Sequence, residues 1–191
     1  MRTVYFLQGI GVLLIVLALV MINRGFTGTG GIVEKMTNLT ISSPDFAHEG
    51  SIPARFTCDA DDTPPRLTIE GVPDDAKSLV LIVIDPDVPK ELRPDGMFLH
   101  WLLFNIPAAA KEIGPTGSIG VSGLNSSGKE GYQGPCPPKA YEPSEHRYFF
   151  HLYALDTMLS LEAGASESEV RQAMEGHVVA EAELMGKYRR Q

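Results

Sequence analysis

"HRYFFHLYALD", His146 to Asp156, combines polar and apolar residues in one short run. Side chains alternate across a strand with a period of two. On that period His146, Tyr148, Phe150, Leu152 and Ala154 share one face. The face starts with an imidazole and a phenol and then turns apolar. A strand of this kind lies in a core along most of its length and reaches something polar at its start. Eight residues before His146 ends a second unusual stretch, "GYQGPCPP", Gly131 to Pro138. Glycine permits close backbone approach, and proline reduces the entropy lost when a loop is ordered. A stiff loop next to a polar strand start reads as the wall of a small pocket.

Working outward, two more apolar runs have the length and β-branched content of buried strands: "SLVLIVID", Ser78 to Asp85, and "FLHWLLFNI", Phe98 to Ile106. Shorter strands are expected at Leu39 to Ile41 and Arg66 to Ile69, with Pro44, Pro53, Pro64, Pro65 and Pro73 as turns between elements. One helix is clear. Ser166 and Glu169 form an S-x-x-E capping box, and Val170, Ala173, Met174, His177 and Val178 follow at helical spacing. Leu184 to Tyr188 alternates as a final strand. Many strands with one or two late helices predict a mainly β fold, a two-sheet antiparallel sandwich with short helices near the C-terminus.

The first 24 residues differ from the rest. Val4 to Ile22 carries no charge and is about long enough to cross a 30 Å hydrocarbon layer as a helix. It predicts an N-terminal transmembrane anchor, with a cleaved signal peptide as the rival reading. Residues 25–35 are rich in glycine and read as a tether, so the domain is expected over 36–191. The anchor reading places the protein at a membrane, with the domain on the extracytoplasmic side.

The net charge of −8 offers no basic face to neutralise phosphates, which excludes a nucleic-acid partner. No cofactor motif occurs. Cys58 and Cys136 allow a single intramolecular pairing; a disulfide and two free thiols both remain open.

The residues able to carry chemistry are Asp85 in "DPDVP", His100 in "HW", His146 and Tyr148. Each has an ordinary structural explanation alone. Together, on strands that can be neighbours in one sheet, they supply a carboxylate, two imidazoles and a hydroxyl around a possible anion.

The ordered set "DPDVP", "HW", "GYQGPCPP" and "HRYFFHLYALD" resembles the phosphatidylethanolamine-binding protein family, in its bacterial and archaeal branch of Raf-kinase-inhibitor-like proteins. The likeness covers roughly Leu39 to Arg189 and includes "IPARFTCDADDTPP" and "AMEGHVVAEAELMGKY". Thr63 stands where serine is usual, "RLTIEGVP" lacks a tryptophan, and "KAYEPSE" is longer and more acidic than the pattern. The resemblance implies a β-sandwich with a small anion-binding pocket. Carried over by motif, its residues are Asp85, Pro89, His100, Gly134, Pro135, Pro137, His146 and Tyr148. It implies non-enzymatic binding of a phosphate-bearing or other small anionic ligand, such as a phospholipid head group. Two other readings are an inhibitor that contacts a kinase or serine peptidase, and a metal-assisted hydrolase.

Overall fold

The computed structural model describes residues 38–115 and 119–190. Eight strands and one α-helix follow in the order β1 (Thr40–Ser42), β2 (Leu67–Glu70), β3 (Ser78–Asp85), β4 (Phe98–Pro107), β5 (Glu112–Ile113), β6 (Val121–Ser122), β7 (Glu145–Leu155), α1 (Glu167–Met174) and β8 (Val178–Arg189). They form two antiparallel sheets, β1-β2-β5 and β6-β4-β3-β7-β8.

The period of two explains how the sheets pack. Leu79, Leu81 and Val83 of β3 point into a core shared with Ile41, Leu67 and Ile113 of the small sheet. Val80 and Ile82, the alternate residues, point to the opposite face, where Val170 and Met174 of α1 cover them. The central strand is therefore apolar on both sides, which is why "SLVLIVID" shows no alternation in its hydrophobicity.

β4 contains two irregularities. Val83 pairs with Trp101 and Ile84 with Leu99, so His100 is the extra residue of a β-bulge. Near the other end, Leu81 pairs with Leu103 and Leu79 with Ile106. Asn105 lies in this second bulge with a φ of 53°. Its side-chain amide donates to the Leu159 carbonyl and accepts from the Leu159 N–H, both at 2.8 Å.

The capping box forms as expected. The Ser166 hydroxyl accepts from the Glu169 N–H, and the Glu169 carboxylate accepts from the Ser166 N–H at 2.8 Å. The helix is shorter than its spacing predicts. Gly176 takes a φ of 77° and turns the chain, so His177 leaves the helix and Val178 opens β8. Pairing with all of β7 outweighs the helical periodicity there, and makes the last strand twelve residues long instead of five.

At the edge of the large sheet, Glu49 to Ile52 runs along the end of β8. Glu49 N–H donates to the Met185 carbonyl, Ile52 N–H to that of Lys187, and Lys187 N–H to that of Gly50, at 2.7–2.8 Å.

One expectation is corrected. Among the described residues no helix is long and apolar enough to cross a membrane. The anchor read over residues 4–22 and the tether over 25–35 lie outside the described residues. The described fold has no transmembrane helix, and a membrane-anchored, extracytoplasmic location is not supported by it. The apolar run suggested a span by its length and its lack of charge, and no described element supplies one.

Candidate functional site

The three long central strands end together. Asp85 closes β3, the His100 bulge lies near the start of β4, and His146 stands at the start of β7. A cavity of about 260 Å³ opens over these ends. Asp85, His100 and His146 form its polar floor, Phe98, Val88 and Leu92 its apolar side, and Gln133, Gly134, Cys136 and Pro138 its far wall, with Arg93 beside them.

The floor is held by short hydrogen bonds. His146 Nδ1 lies 2.7 Å from Asp85 Oδ2, with both residues nearly fully buried. The other oxygen, Oδ1, accepts the Asp87 N–H at 2.8 Å. His100 Nδ1 donates to the Gln133 carbonyl at 2.6 Å, and the Gln133 N–H returns a bond to the His100 carbonyl at 3.0 Å. The bulge thus aims the His100 ring at the loop that walls the cavity. Burial lowers the pKa of His100 from the ordinary imidazole value, against the opposing pull of the Gln133 carbonyl and Asp85. Tyr148 packs its ring edge-on to His100, with centroids 5.2 Å apart. Burial raises its phenol far above the ordinary range, so it keeps its proton.

Among the described residues, four buried side-chain polar atoms have no hydrogen-bond partner: Arg93 Nε, His100 Nε2, His146 Nε2 and Tyr148 Oη. All four belong to this end of the sandwich. An unpaired buried polar group costs about 1–3 kcal/mol, so their clustering marks a place built to receive something.

"DPDVP" folds as a brace. The Asp87 carboxylate accepts from the Arg147 backbone N–H and from its guanidinium at 2.6–2.9 Å. That guanidinium holds the Asp87 carboxyl below the ordinary range. The Pro89 carbonyl accepts from the N–H groups of Leu92 and Arg93 at 2.9 and 3.0 Å, which turns both residues toward the cavity.

The wall loop is tied from behind. Cys136 is joined to Cys58 in a disulfide. The Tyr132 hydroxyl donates to the Phe56 carbonyl at 2.7 Å, and the Gly134 N–H to Asp62 at 2.7 Å. A Cβ on Gly134 would stand 2.3 Å from the Phe56 carbonyl oxygen and 2.4 Å from Asp62. The glycine is required by the segment packed behind the loop, and not by a ligand in front of it.

Of the residues singled out from sequence, Asp85, His100, Gly134 and His146 line the cavity together. Pro89, Pro135, Pro137 and Tyr148 do not line it and are buried. Sequence reasoning missed Arg93 and Phe98. The turn signature "RPDG", Arg93 to Gly96, gave notice that this hydrophilic stretch folds back. Among the described residues no group of three or more His, Cys, Asp or Glu side chains is arranged to hold a metal ion.

A family model for the phosphatidylethanolamine-binding protein matches residues 42–189. A UPF0098 protein of Methanothermobacter thermautotrophicus is 47% identical over 161 residues, 80% of this chain and 99% of its own. The UPF0098 protein PH1269 of Pyrococcus horikoshii is 43% identical over 185 residues, 92% of this chain and 88% of its own. Among solved structures, a phosphatidylethanolamine-binding protein homologue from Chlamydia trachomatis superposes with a TM-score of 0.77 at 40% identity, over 81% of this chain and 99% of that one. E. coli YbcL, described as a new member of the mammalian PEBP family, gives 0.70 at 26% identity, over 80% and 99%. With the fold, the motifs and the matches in agreement over the same residues, this chain belongs to the phosphatidylethanolamine-binding protein family.

Proposed function

We propose that the cavity binds a small phosphate-bearing ligand without transforming it. One observation carries the reading: two buried imidazole Nε2 atoms stand without partners in the lining of one cavity, beside a guanidinium. Imidazoles and Arg93 supply the donors an oxyanion requires once a proton is present, and Phe98, Val88 and Leu92 exclude water around it. The dimensions suit a head group and not a large molecule. Binding without turnover is favoured because no serine, lysine or free thiol stands among the lining residues; Cys136 is engaged with Cys58.

Calorimetric titration of the full-length protein with phosphoethanolamine tests this. Charge-assisted bonds contribute about 1.5–3 kcal/mol each, so His100→Ala and His146→Ala should each weaken binding by roughly tenfold to a hundredfold. His146→Gln replaces His146→Ala if loss of the Asp85 contact unfolds the chain. Folded variants that bind as tightly as the parent would reduce the constellation to a structural feature.

A further inference from the structure

The hydrogen-bonding capacity of the floor restricts its ligand more than charge does. A carbonyl oxygen only accepts, so the 2.6 Å contact with Gln133 makes His100 Nδ1 an N–H donor. Asp85, already accepting from the Asp87 N–H, takes its second bond from His146 Nδ1. With both Nδ1 atoms carrying hydrogen, a neutral imidazole at either position presents a lone pair at Nε2. Both Nε2 atoms are buried and unpartnered. An ionised phosphate oxygen also offers only lone pairs, so a fully deprotonated phosphate would meet acceptors with acceptors.

The neighbouring groups do not remove this conflict. Tyr148 Oη and Arg93 Nε are unpaired donors at this end, but Tyr148 does not line the cavity, Arg93 is the single Lys or Arg that does, and neither replaces the lone pair at an imidazole Nε2. Asp87 is occupied by Arg147. A phosphate oxygen placed against an imidazole Nε2 therefore lacks one proton.

We propose, resting on the oxyanion reading above, that the cavity admits a phosphate group only together with one proton, held between a phosphate oxygen and an imidazole Nε2, and that it therefore selects phosphomonoesters over phosphodiesters. A monoester has a second pKa of about 6. Near neutrality it is a dianion that regains a proton at small cost, and its P–O–H then donates to Nε2. The equivalent arrangement, imidazolium N–H to dianion, contains the same atoms. A diester has no such proton to regain, so binding it charges a buried imidazole, which burial of His100 opposes.

Phosphoethanolamine and glycerophosphoethanolamine carry the same amine and differ in being monoester and diester. Each is titrated calorimetrically into the full-length protein at pH 7.5, in two buffers of different ionisation enthalpy. The expected result is uptake of about one proton per monoester bound, and an affinity at least tenfold higher than for the diester. The gap should narrow at pH 5.5, where imidazoles charge more readily. Monoester binding without proton uptake, or equal affinity for the two at pH 7.5, overturns this inference and leaves the oxyanion reading intact. No binding of either ligand at either pH overturns both.

Discussion

The strands β3, β4 and β7 have two ends, and the ends treat polar groups in opposite ways. At one end lie Ser78, Asn105 and Leu155. There the Ser78 hydroxyl donates to the Thr157 carbonyl, and Asn105 exchanges two bonds with Leu159. Every polar atom that these two side chains bury has a partner. At the other end lie Asp85, His100 and His146, where the Nδ1 atoms are satisfied and the Nε2 atoms are not. Both ends contain a β4 bulge. One places an amide where it closes the structure, and the other places an imidazole where it leaves a cavity open. A bulge therefore does not indicate function by itself; the completeness of the hydrogen bonding around it does.

The comparison is tested first where the effect is largest. Gly134→Ala should destabilise the protein by about 3 kcal/mol, since the added methyl meets backbone and a carboxylate. It should also disturb ligand binding, because the wall must shift. Denaturant unfolding and titration measure the two effects. A stable variant with normal affinity would mean that the wall is not set by the segment behind it.

At the closed end, Asn105→Ala removes two hydrogen bonds and leaves a residue with positive φ that alanine tolerates poorly. A loss of about 2 kcal/mol is expected, with ligand affinity unchanged. Asn105→Gly should recover the backbone part alone. Equal stability of the three proteins would contradict the closed-end description.

The pH dependence sharpens the contrast. The folded pKa of His100 lies below its unfolded value of about 6.5. The unfolded chain therefore takes up a proton first, and stability falls as pH drops from about 6.5 towards the folded pKa. Above that window His100 contributes no slope. His100→Asn, which keeps a donor for Gln133, should flatten the thermal midpoint over this range in ligand-free protein. An unchanged slope would show that His100 is already charged in the fold.

The smallest effect belongs to Tyr148→Phe. Its hydroxyl is buried without a hydrogen-bond partner, so removing it should cost no stability and should raise it by about 1 kcal/mol. A loss above about 1.5 kcal/mol, the net worth of a made hydrogen bond, would reveal a partner the geometry does not contain.

Much of this was legible in the sequence. Continuous apolar runs located β3 and β4, alternation located β7 and its inward face, and the Ser166 box located α1. These signals are local and depend on one element. The grouping of Asp85, His100 and His146 was suggested by their strand positions and supported by motif order, while the pairing that brings them together is encoded by no single segment. Arg93 and Phe98 were missed for the same reason: the loop from Pro89 to Gly96 folds through its own turns, and its approach to His100 is a tertiary event. The β8 error is instructive too. His177 and Val178 fit a helical face, yet Gly176 and eleven β7 partners decided otherwise. The β5 and β6 strands, two residues each, are too short to leave a pattern.

The segment Glu49 to Ile52 has a consequence for how the molecule keeps to itself. β8 is an outermost strand, and an uncovered outermost strand is a template on which another chain can extend the sheet. Its C-terminal part is occupied by that segment, through backbone bonds on Met185 and Lys187. The remaining part, from Val178 to Glu183, displays Glu181 and Glu183 on its outward face. A second copy arriving antiparallel there would set carboxylates near carboxylates, and like charges across strands repel. Coverage on one half and charge on the other make this edge a poor template for a second chain.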